Sequence, residues 1–380
     1  MQSLTAFLFA IILALALAPA PQSQRKPSPE EEKECGTVIP PEQIKAELAR
    51  DAELARKNVA PQAMAPSTDA PYYLPLTIHM VRDSEGIQTG LSPQNLEKVM
   101  QSLNQLWAQV GIQFFIYGEI DEIFNDEFLS LPNTEAKRDE LRNVNNVPNT
   151  INVYFTNLQG NIGGVGSFTN DNTQGILLDY QTMNEFSAGL FRLEVFAHEM
   201  GHFFDLYHTH ETKFGVECPS GSNCTSAGDK LCDTSADPQL NQHGFVDNDC
   251  NYTGPTAAPA GCGDTPYQPP TRNLMTYSKY FCRAEFTPNQ ISKVLYTLHN
   301  ASNRKNLIDG WKFYVDPQAS SSNTKCTSTA PCRTVEKAVQ AAQSGSVIYL
   351  KPGAHKTSSL GGKRLTFRRW GSSGVAELKP

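Results

Sequence analysis

The alternation of apolar and polar residues predicts a first strand that begins near Tyr73. Leu76, Ile78 and Met80 fall on one face of this strand and His79 falls on the other, because successive side chains of a strand point to opposite faces. We interpret His79 as a structural residue, and we expect the folded domain to begin at this strand.

The next segment changes to helical spacing. Ser92 is suited to cap the start of a helix, Pro93 to occupy its first position, and Gly111 to end it. Between them, apolar residues recur every three or four positions, as in a helix with one buried face. These residues are Leu96, Val99, Met100, Leu103, Trp107 and Val110. We therefore predict an amphipathic helix whose apolar stripe belongs to the core.

Further apolar segments predict the rest of a mixed sheet. We predict strands at 112–118, 150–156 and 175–180 and a buried helix at 186–204. Residues 160–166 are rich in glycine, but no Lys-Ser/Thr follows and no helix starts there, so they do not fit a phosphate-binding loop. We interpret them as an edge strand with bulges, which can pair with the extended backbone of a substrate. The order strand, helix, strands, helix predicts an α+β fold with a twisted mixed sheet.

The N-terminal part of the chain differs in composition from this domain. Residues 4–18 are apolar and uncharged, so we assign residues 1–20 to a secretory signal peptide; because no Lys or Arg precedes the apolar run, an N-terminal membrane anchor is the alternative. Residues 21–72 are rich in Pro, Ala, Glu and Lys and contain one predicted helix at 41–56, which indicates a pro-segment or linker. The folded domain then occupies residues 73–310, and no later segment is apolar enough to span a membrane.

The last segment, residues 311–380, resembles the opening of a right-handed parallel β-helix of the pectate-lyase-like kind. The resemblance rests on the run CRTVEKAVQAAQSGSVIYLKPGAHKT, a short helical segment followed by a strand and a Pro-Gly turn. Only one or two coils fit into this length, whereas a solenoid needs about three repeats to bury a core. We interpret the segment as a small, truncated or degenerate β-rich accessory module for attachment to a surface or a glycan.

Charge and cysteine content restrict the class of protein. The net charge is −7, so the chain lacks the basic character that nucleic-acid binding requires. Nine cysteines are present; Cys35 is separate from the others, and the remaining eight suggest four disulfides in an exported protein. A second zinc site is the alternative, but no C-x-x-C occurs. The pairs that we predict are Cys262–Cys282, Cys326–Cys332, and Cys250 with one of Cys218, Cys224 and Cys232.

The run HEMGHFFDLYH carries the candidate chemistry. On a helix, His198 and His202 lie one turn apart on the same face, so both imidazoles can bind one metal ion, and Glu199 projects beside that ion. A carboxylate in this position can take a proton from a zinc-bound water, as in proteases with the H-E-x-x-H motif. We therefore predict Zn²⁺ bound by the two histidines, with Glu199 as the general base.

A third ligand requires the chain to bend. His208 would lie about 15 Å beyond His198 on a continuous helix, whereas two ligands of one zinc ion lie within roughly 4 Å of each other. The chain must therefore reverse between His202 and His208. Metzincin proteases have Gly at this bend, and this chain has Asp205, which adopts the left-handed conformation at a cost of about 1–2 kcal/mol. If the bend does not form, His210 or a distant carboxylate is the third ligand.

Two residues farther along the chain fit the same site. Met275 follows the cysteine-rich region in a predicted turn, where it would form an apolar floor beneath the three histidines. Tyr277 would bring its phenol to the metal region and donate a hydrogen bond to a developing oxyanion.

Taken together, these motifs resemble the pappalysin family of metzincin metalloproteases. The resemblance rests on AHEMGHFFDLYHTH, LCDTSADP, NLMTYS and CRAEFTPNQ, which occur in the family's order, and it covers about residues 73–305. It implies a metzincin-like α/β/α fold, and it departs from the family at Asp205, in place of Gly, and at Thr276, in place of Asp. The roles that it implies are zinc ligation by His198, His202 and His208, general-base catalysis by Glu199, the Met-turn at Met275 and transition-state stabilisation by Tyr277.

The resemblance suggests two further features. The segment around Cys35 resembles a Cys-Gly-Thr pattern of family precursors, so its thiolate is a candidate ligand that keeps the precursor latent; a free or disulfide-bonded cysteine is the alternative. A structural Ca²⁺ ion is the second feature, because carboxylates crowd the cysteine-rich loop, and a solvated acidic loop is the alternative. These carboxylates belong to Asp229, Asp233, Asp237, Asp247 and Asp249.

The sequence therefore predicts a secreted zinc metalloendopeptidase that hydrolyses protein or peptide substrates. It predicts no nucleic-acid partner, and it leaves the oligomeric state open. The alternative is a protease-like protein, catalytically impaired at the Asp205 bend, that binds or adheres through its tail. A polysaccharide-acting enzyme centred on the tail is a third hypothesis, but the tail offers no constellation of carboxylates for that chemistry.

Overall fold

The computed structural model describes most of the chain. It covers residues 34–57, 72–86, 90–184, 193–240, 244–343, 345–356, 359–371 and 373–379. The predicted signal peptide lies outside the described residues. Within the described part of the chain, no helix combines the length and the apolar character needed to cross a membrane.

Strands and helices alternate through the chain. The strands are β1 Glu34–Cys35, β2 Tyr72–Arg82, β3 Ile112–Ile116, β4 Asp121–Phe124, β5 Ser130–Leu131, β6 Ile151–Leu158, β7 Ile162–Gly166, β8 Ile176–Asp179, β9 Lys312–Val315, β10 Val347–Leu350, β11 Gly353–Lys356, β12 Thr366–Arg369 and β13 Ala376–Lys379. The helices are α1 Pro41–Lys57, α2 Pro93–Trp107, α3 Asp126–Leu129, α4 Glu135–Arg142, α5 Tyr180–Asn184, α6 Glu194–Phe203, α7 Pro288–Asn300, α8 Asn306–Asp309 and α9 Val335–Ala341.

The main sheet is mixed, as predicted. Its strands follow the order β1-β7-β8-β6-β2-β3, with β4 paired to β2 and β5 paired to β6. All of these pairs are parallel except β7 with β8, which is antiparallel. The predicted α+β class is therefore confirmed. The strand β7 would form the edge of this sheet if β1, from the predicted pro-segment, were not paired with it.

Helix α2 forms where the spacing of apolar residues predicts it. The Ser92 side chain accepts a hydrogen bond from the Asn95 backbone at 3.2 Å, and Pro93 occupies the first position. A short 3-10 turn over Ala108–Val110 then ends at Gly111, whose φ is 76°. The left-handed conformation of Gly111 stops the helix, because it costs glycine little.

Trp107 joins α2 to the helix α6. Its buried indole makes edge or tilted contacts with Phe114, Phe204 and Phe286 at centroid distances of 5.2–5.6 Å. The indole Nε1 donates a hydrogen bond to the carbonyl of Ala197 at 3.3 Å. The helix that carries the zinc-binding motif is therefore held on one side by the core.

The predicted helix at 186–204 is shorter in the structure. The helix α5 ends at Asn184, and α6 begins at Glu194. Residues 185–192 lie outside the described residues.

The predicted pro-segment packs against the domain. Ile39, Gln43 and Glu47 are all buried. Gln43 donates a hydrogen bond to the Tyr207 hydroxyl, and that hydroxyl donates to Glu47, each at 3.2 Å. The segment is therefore docked on the domain, and its assignment as a pro-segment stays a prediction.

The C-terminal residues form parallel strand pairs. The strands β9, β10 and β12 make one parallel sheet, and β11 and β13 make another. The segment contacts the main domain through a hydrogen bond of 2.7 Å between Tyr117 and Ser346 and through the rings of Phe115 and Trp311, whose centroids are 4.8 Å apart. The resemblance of this segment to a pectate-lyase-like β-helix stays a prediction.

Candidate metal centre

The chain reverses direction directly after α6. The helix ends at Phe203, and Asp205 adopts a φ of 64°. The Leu206 backbone N–H then donates to the Gly201 carbonyl at 2.9 Å, which closes the turn. This is the reversal that the sequence requires, at the residue where it was predicted, and an uninterrupted helix through His208 is excluded.

The reversal brings four candidate ligands together. The Cys35 thiol and one nitrogen each of His198, His202 and His208 all lie within 4.8 Å of one another. The three histidines are buried. Three of the four groups come from one short segment, and the fourth comes from the strand β1 of the predicted pro-segment.

The imidazoles are oriented by backbone carbonyls. His198 Nδ1 lies 2.6 Å from the Leu274 carbonyl, and His202 Nδ1 lies 2.7 Å from the Leu206 carbonyl. A carbonyl only accepts hydrogen bonds, so each Nδ1 carries the proton and each Nε2 carries a lone pair. The Nε2 atom of His202 lies 3.1 Å from the Nε2 atoms of His198 and His208. Lone pairs that face each other at this distance repel unless a cation lies among them, so the donor set fits a metal ion.

Burial keeps these imidazoles neutral. It lowers the pKa of His202 to about 3. Burial, reinforced by the neighbouring imidazoles, also holds the pKa values of His198 and His208 well below their ordinary value. The neutral imidazole is the form that binds a metal ion.

Glu199 is buried beside the histidines. Its Oε2 atom accepts hydrogen bonds from the Gly166 backbone at 2.7 Å and from the Thr37 hydroxyl at 2.9 Å, and the Cys35 thiol lies 3.5 Å away. Burial raises the pKa of this carboxyl to about 7, and the hydrogen bonds from Cys35, Thr37 and Gly166 oppose that rise. A pKa near neutrality suits a group that both takes and returns a proton.

Glycines let the strand β7 lie directly against α6. A Cβ atom on Gly164 would stand 2.5 Å from Cγ of Glu199, and one on Gly166 would stand 2.4 Å from the Glu199 carbonyl oxygen. Any larger residue would push the strand away from the helix. The glycine-rich segment is thus a strand, as predicted, but its glycines serve close packing.

Met275 packs against the helix that carries His198 and His202. It is fully buried, and a Cβ atom on Gly201 would stand 2.4 Å from its sulfur. Its backbone N–H donates to the Asn273 side chain at 2.9 Å, and Asn273 is held in turn by Gln290 at 2.8 Å. The helix α7 therefore fixes the turn that carries both Met275 and the carbonyl bonded to His198.

Tyr277 faces the same centre. Its ring centroid lies 4.8 Å from that of His208. Its hydroxyl donates a hydrogen bond to the Cys35 carbonyl oxygen at 3.0 Å. The phenol is thus within reach of an extended backbone that passes the metal centre.

His210, the alternative third ligand, points elsewhere. Its ring stacks on His208 at a centroid distance of 4.9 Å, and its Nδ1 lies 3.9 Å from Asp237. It does not belong to the ligand cluster found among the described residues. Asp237 also accepts hydrogen bonds from Thr209 at 2.5 Å and Thr276 at 2.6 Å. The sequence analysis grouped this carboxylate with the candidate calcium ligands and missed its contact with Thr276, which stands where the family has Asp.

The disulfides correct part of the predicted pairing. Cys326–Cys332 is confirmed. The pair Cys262–Cys282 and the pairing of Cys250 with an earlier cysteine are wrong, because Cys250 and Cys282 share a buried cluster with Leu240 and Val246. The four observed pairs are Cys218–Cys262, Cys224–Cys232, Cys250–Cys282 and Cys326–Cys332, and Cys35 is the free cysteine.

The acidic residues of the cysteine-rich loop serve different purposes. Asp233 accepts hydrogen bonds from Thr287 at 2.9 Å and from the Asn289 backbone at 2.8 Å, so it caps α7. Asp247 accepts backbone hydrogen bonds within its own turn. Asp229 differs, because its Oδ2 atom is buried without a hydrogen-bond partner.

Two residues that the sequence analysis did not single out share that condition. Oε2 of Glu217 and Oγ1 of Thr234 are also buried without a hydrogen-bond partner. Burial, together with the charge of Asp229, raises the pKa of Glu217 to about 8, and burial raises the pKa of Asp229 to about 7. Buried oxygens of this kind are a candidate site for a hard cation.

Comparisons with known proteins show which sequences this chain resembles. Residues 133–299 match the family model Peptidase_M43, described as pregnancy-associated plasma protein-A. An extracellular metalloprotease of Pyricularia oryzae is 25% identical over 272 residues, which cover 68% of this chain and 86% of that protein. An extracellular metalloprotease of Neurospora crassa is 26% identical and covers the same shares.

A solved structure shows the same fold. A promirolysin mutant of Tannerella forsythia aligns with a TM-score of 0.50 at 16% identity, over 72% of this chain and 97% of that chain. At this identity the likeness bears on the fold alone.

Proposed function

We propose that the protein is a latent zinc endopeptidase of the pappalysin family that hydrolyses protein or peptide substrates outside the cell, because residues 133–299 match the Peptidase_M43 family model. The extracellular location agrees with the relatives, which are extracellular metalloproteases, and with the four disulfides. The expected secretion and the expected metalloprotease activity are thus confirmed at the level of the family.

His198, His202 and His208 would hold the zinc ion. Three neutral imidazoles are a common donor set for catalytic zinc, with a fourth position left for water or substrate. The separations of 3.1 Å between Nε2 atoms are close to the value of about 3.3 Å expected for Zn–N bonds of about 2.0–2.1 Å at a tetrahedral angle. When bound there, zinc would polarise the scissile carbonyl and lower the pKa of a water molecule towards 7.

Glu199 would move the proton. Its buried carboxylate, fixed by the Gly166 backbone N–H, would take a proton from the attacking water and pass it to the leaving amine. Tyr277 would donate its hydroxyl hydrogen bond to the developing oxyanion, because its present acceptor is a backbone carbonyl beside the metal centre.

A substrate would pair with β7. In this structure β1 occupies that position, with Cys35 opposite Gly164. The Gly36 backbone N–H donates to the Gly164 carbonyl at 2.9 Å. The same backbone groups become available to an extended peptide once the pro-segment has left.

Cys35 would keep the precursor latent. Its thiol lies 3.4 Å from Nε2 of His202 and belongs to the ligand cluster, so it would take the fourth position on the metal in place of water. Burial, with the neighbouring Glu199, raises the pKa of this thiol well above its ordinary value. A bound cation would provide the opposing charge that makes the thiolate stable.

A structural Ca²⁺ ion is part of the proposal. Asp229, Glu217 and Thr234 offer buried oxygen atoms without hydrogen-bond partners, and burial raises the pKa values of the two carboxyls, an effect that a bound cation would oppose. Of the five carboxylates that the sequence singled out, only Asp229 belongs to this set.

One observation carries the enzymatic proposal: the Nε2 atoms of three buried histidines converge beside the buried carboxylate of Glu199. The test is the matched pair His208→Ala and His210→Ala in the full chain, since the second histidine stacks on the first but lies outside the cluster. We expect His208→Ala to lose bound zinc and casein hydrolysis after activation, and His210→Ala to retain both.

Glu199→Ala separates a protease from a binding protein. It should keep the zinc and lose hydrolysis, because the base does not bind the metal. Full zinc content in His208→Ala would overturn the ligand assignment. Undiminished hydrolysis by Glu199→Ala would overturn the mechanism, and a wild-type protein that binds zinc but cleaves no peptide would favour the adhesion protein.

A further inference from the structure

Asp205, the residue at the bend, does more than adopt the backbone conformation that glycine would adopt. Its side chain also makes contacts of its own. Its carboxylate is buried, although charged side chains are rarely buried without partners. Its Oδ1 atom accepts a hydrogen bond from the Thr169 backbone at 2.9 Å, and its Oδ2 atom accepts one from the Thr169 hydroxyl at 2.8 Å. A glycine at this bend can make neither contact.

Thr169 belongs to the loop that follows β7, the strand proposed to bind substrate. The preceding residue, Phe168, lies with its ring centroid 5.4 Å from that of His202 and 5.6 Å from that of Tyr207. The two hydrogen bonds from Thr169 to Asp205 therefore join the metal-binding bend to the end of the substrate strand.

The turn after α7 contacts both the end of α6 and the loop that follows β7. Arg304 is fully buried, and its Nε atom donates to the carbonyl of Phe203, the last residue of α6, at 2.8 Å. Its guanidinium also lies 3.5 Å from the centroid of the Phe203 ring. Asn303 donates to the Thr169 carbonyl at 2.8 Å. Arg304 thus fixes the end of α6, and the adjacent Asn303 fixes the loop after β7.

We propose that Asp205 and Thr169, supported by Arg304, form a tether that positions His208 on the metal and couples the metal site to the substrate strand. These are positioning residues, since none of them touches the substrate or the metal. The positive φ of Asp205 supplies the reversal, and its carboxylate fixes the direction in which the chain leaves the reversal. The inference rests on the proposed zinc site.

The test compares Asp205→Gly with Thr169→Val in the full chain carrying Glu199→Ala, which prevents self-digestion. Asp205→Gly keeps the bend and removes the tether, and Thr169→Val removes one of its two hydrogen bonds without changing the backbone. Zinc affinity and the rate of zinc release are measured by competition with a chromogenic chelator. We expect Asp205→Gly to weaken zinc binding by about 10- to 100-fold, as loss of a group that orients a metal ligand does, and Thr169→Val to give a smaller loss.

The matched control is Asn145→Gly, another non-glycine residue at positive φ, with a φ of 51° and an exposed side chain. It should leave zinc binding unchanged. In the active background, Asp205→Gly should lower kcat and raise KM together, because the tether reaches both the metal and the substrate strand.

Three results are decisive. Zinc affinity in both Asp205→Gly and Thr169→Val equal to that of the parent protein would overturn the tether. If Asp205→Gly fails to fold, unchanged zinc release in Thr169→Val overturns it by itself. A parent protein that binds no zinc would instead contradict the proposed function.

Discussion

At the residue scale, the proposed latency would be divided between two neighbouring side chains. The Cys35 thiol faces the three imidazoles, and the Thr37 hydroxyl donates a hydrogen bond to the carboxylate of Glu199 at 2.9 Å. The same hydroxyl accepts a hydrogen bond from the Gly166 backbone at 2.9 Å. One residue would thus block the metal and the other the general base.

We predict that Cys35→Ser raises the peptidase activity of the uncleaved precursor strongly, because serine is a poor ligand for zinc. Thr37→Val, which keeps the shape and removes the hydroxyl, should raise the activity by about 5- to 10-fold, the equivalent of one lost hydrogen bond. Thr37→Ser is the matched control and should stay latent. Activity is measured with a fluorogenic peptide while mass spectrometry verifies that the pro-segment is intact. Unchanged latency in Cys35→Ser would count against the thiol, and equal activity of the two Thr37 variants would count against the hydroxyl.

The sequence was informative for residues whose chemistry depends on short spacing. His198, Glu199 and His202 are set by the helical repeat, and the cluster that they form with His208 follows from the bend at Asp205. Other residues meet only through tertiary packing. The hydrogen bond between Thr37 and Glu199 and the electrostatic influence of Asp229 on Glu217 join segments that no local pattern relates, so neither could be predicted from the sequence.

At the element scale, α1 is held on the domain by charge. Glu47 is buried and lies 3.6 Å from Lys293 of α7 and 2.5 Å from Arg50. Asp51 pairs with Lys230. Burial by itself would raise the pKa of Glu47, but Lys293, Arg50 and Lys230 outweigh burial and hold that pKa below its ordinary value. The ionised form of Glu47 therefore favours the docked helix.

We predict that acid loosens α1. Because the pKa of Glu47 is lower when docked than when free, its contribution to docking is complete above the ordinary pKa of about 4.3 for Glu. That contribution is lost as pH falls through the lowered value. Hydrogen exchange of the α1 amides, corrected for the intrinsic rate, should accelerate between about pH 5 and pH 3, relative to α2 in the same protein. Glu47→Gln should exchange faster at neutral pH and lose this pH dependence; a variant that retains the full pH dependence would place the titrating group elsewhere.

The prediction of secondary structure succeeded in segments where apolar residues recur with a single period. The stripe of α2 and the alternation in β2 gave both elements close to their observed bounds. The helix α4 and the strand β4 carry few apolar residues, so their pattern is weak, and they were not predicted. The disulfide pairs Cys218–Cys262 and Cys250–Cys282 depend on how an irregular loop packs, which periodicity does not encode.

At the scale of the whole molecule, the cysteine-rich loop depends on the buried carboxyls of Glu217 and Asp229. Burial raises the pKa of Glu217 to about 8 and that of Asp229 to about 7, so without a cation both carboxyls are mainly protonated in the folded chain only below about pH 7. Raised carboxyl pKa values make the folded state less stable as pH rises from the ordinary values of about 4 towards the raised ones. A bound Ca²⁺ ion would displace the protons, so calcium affinity should increase as pH rises through 7 to 8.

We predict that Ca²⁺ raises the unfolding temperature of the full chain. At about 100 times Kd the gain is about 2.7 kcal/mol, or about 5–10 °C for a domain of this size. The double variant Glu217→Gln/Asp229→Asn should lose the response, and Asp249→Asn, at an exposed position in the same loop, should keep it. Scanning calorimetry with and without calcium measures both. An equal response in all three proteins would place the ion at another site, and no response in the wild type would contradict calcium binding.

The fold class could be predicted as a whole, but the arrangement of its parts could not. The order of strands and helices predicted a mixed sheet, and β7 was expected to pair with an extended backbone. That this backbone is β1 of the pro-segment, paired in parallel, follows only from the three-dimensional structure. This contact could not be predicted from the sequence, because Cys35 and Gly164 are far apart in the chain and only the tertiary fold brings them together.

The pairing of β1 with β7 has a consequence for the behaviour of the protein after activation. An uncovered strand edge is adhesive, since its free N–H and C=O groups can recruit any extended chain, including another copy of the same protein. The predicted pro-segment covers that edge in the structure, and its removal would expose it. We therefore expect the activated protein to self-associate at high concentration. An inhibitor that mimics a β-strand should keep the protein in solution as well as inhibit it.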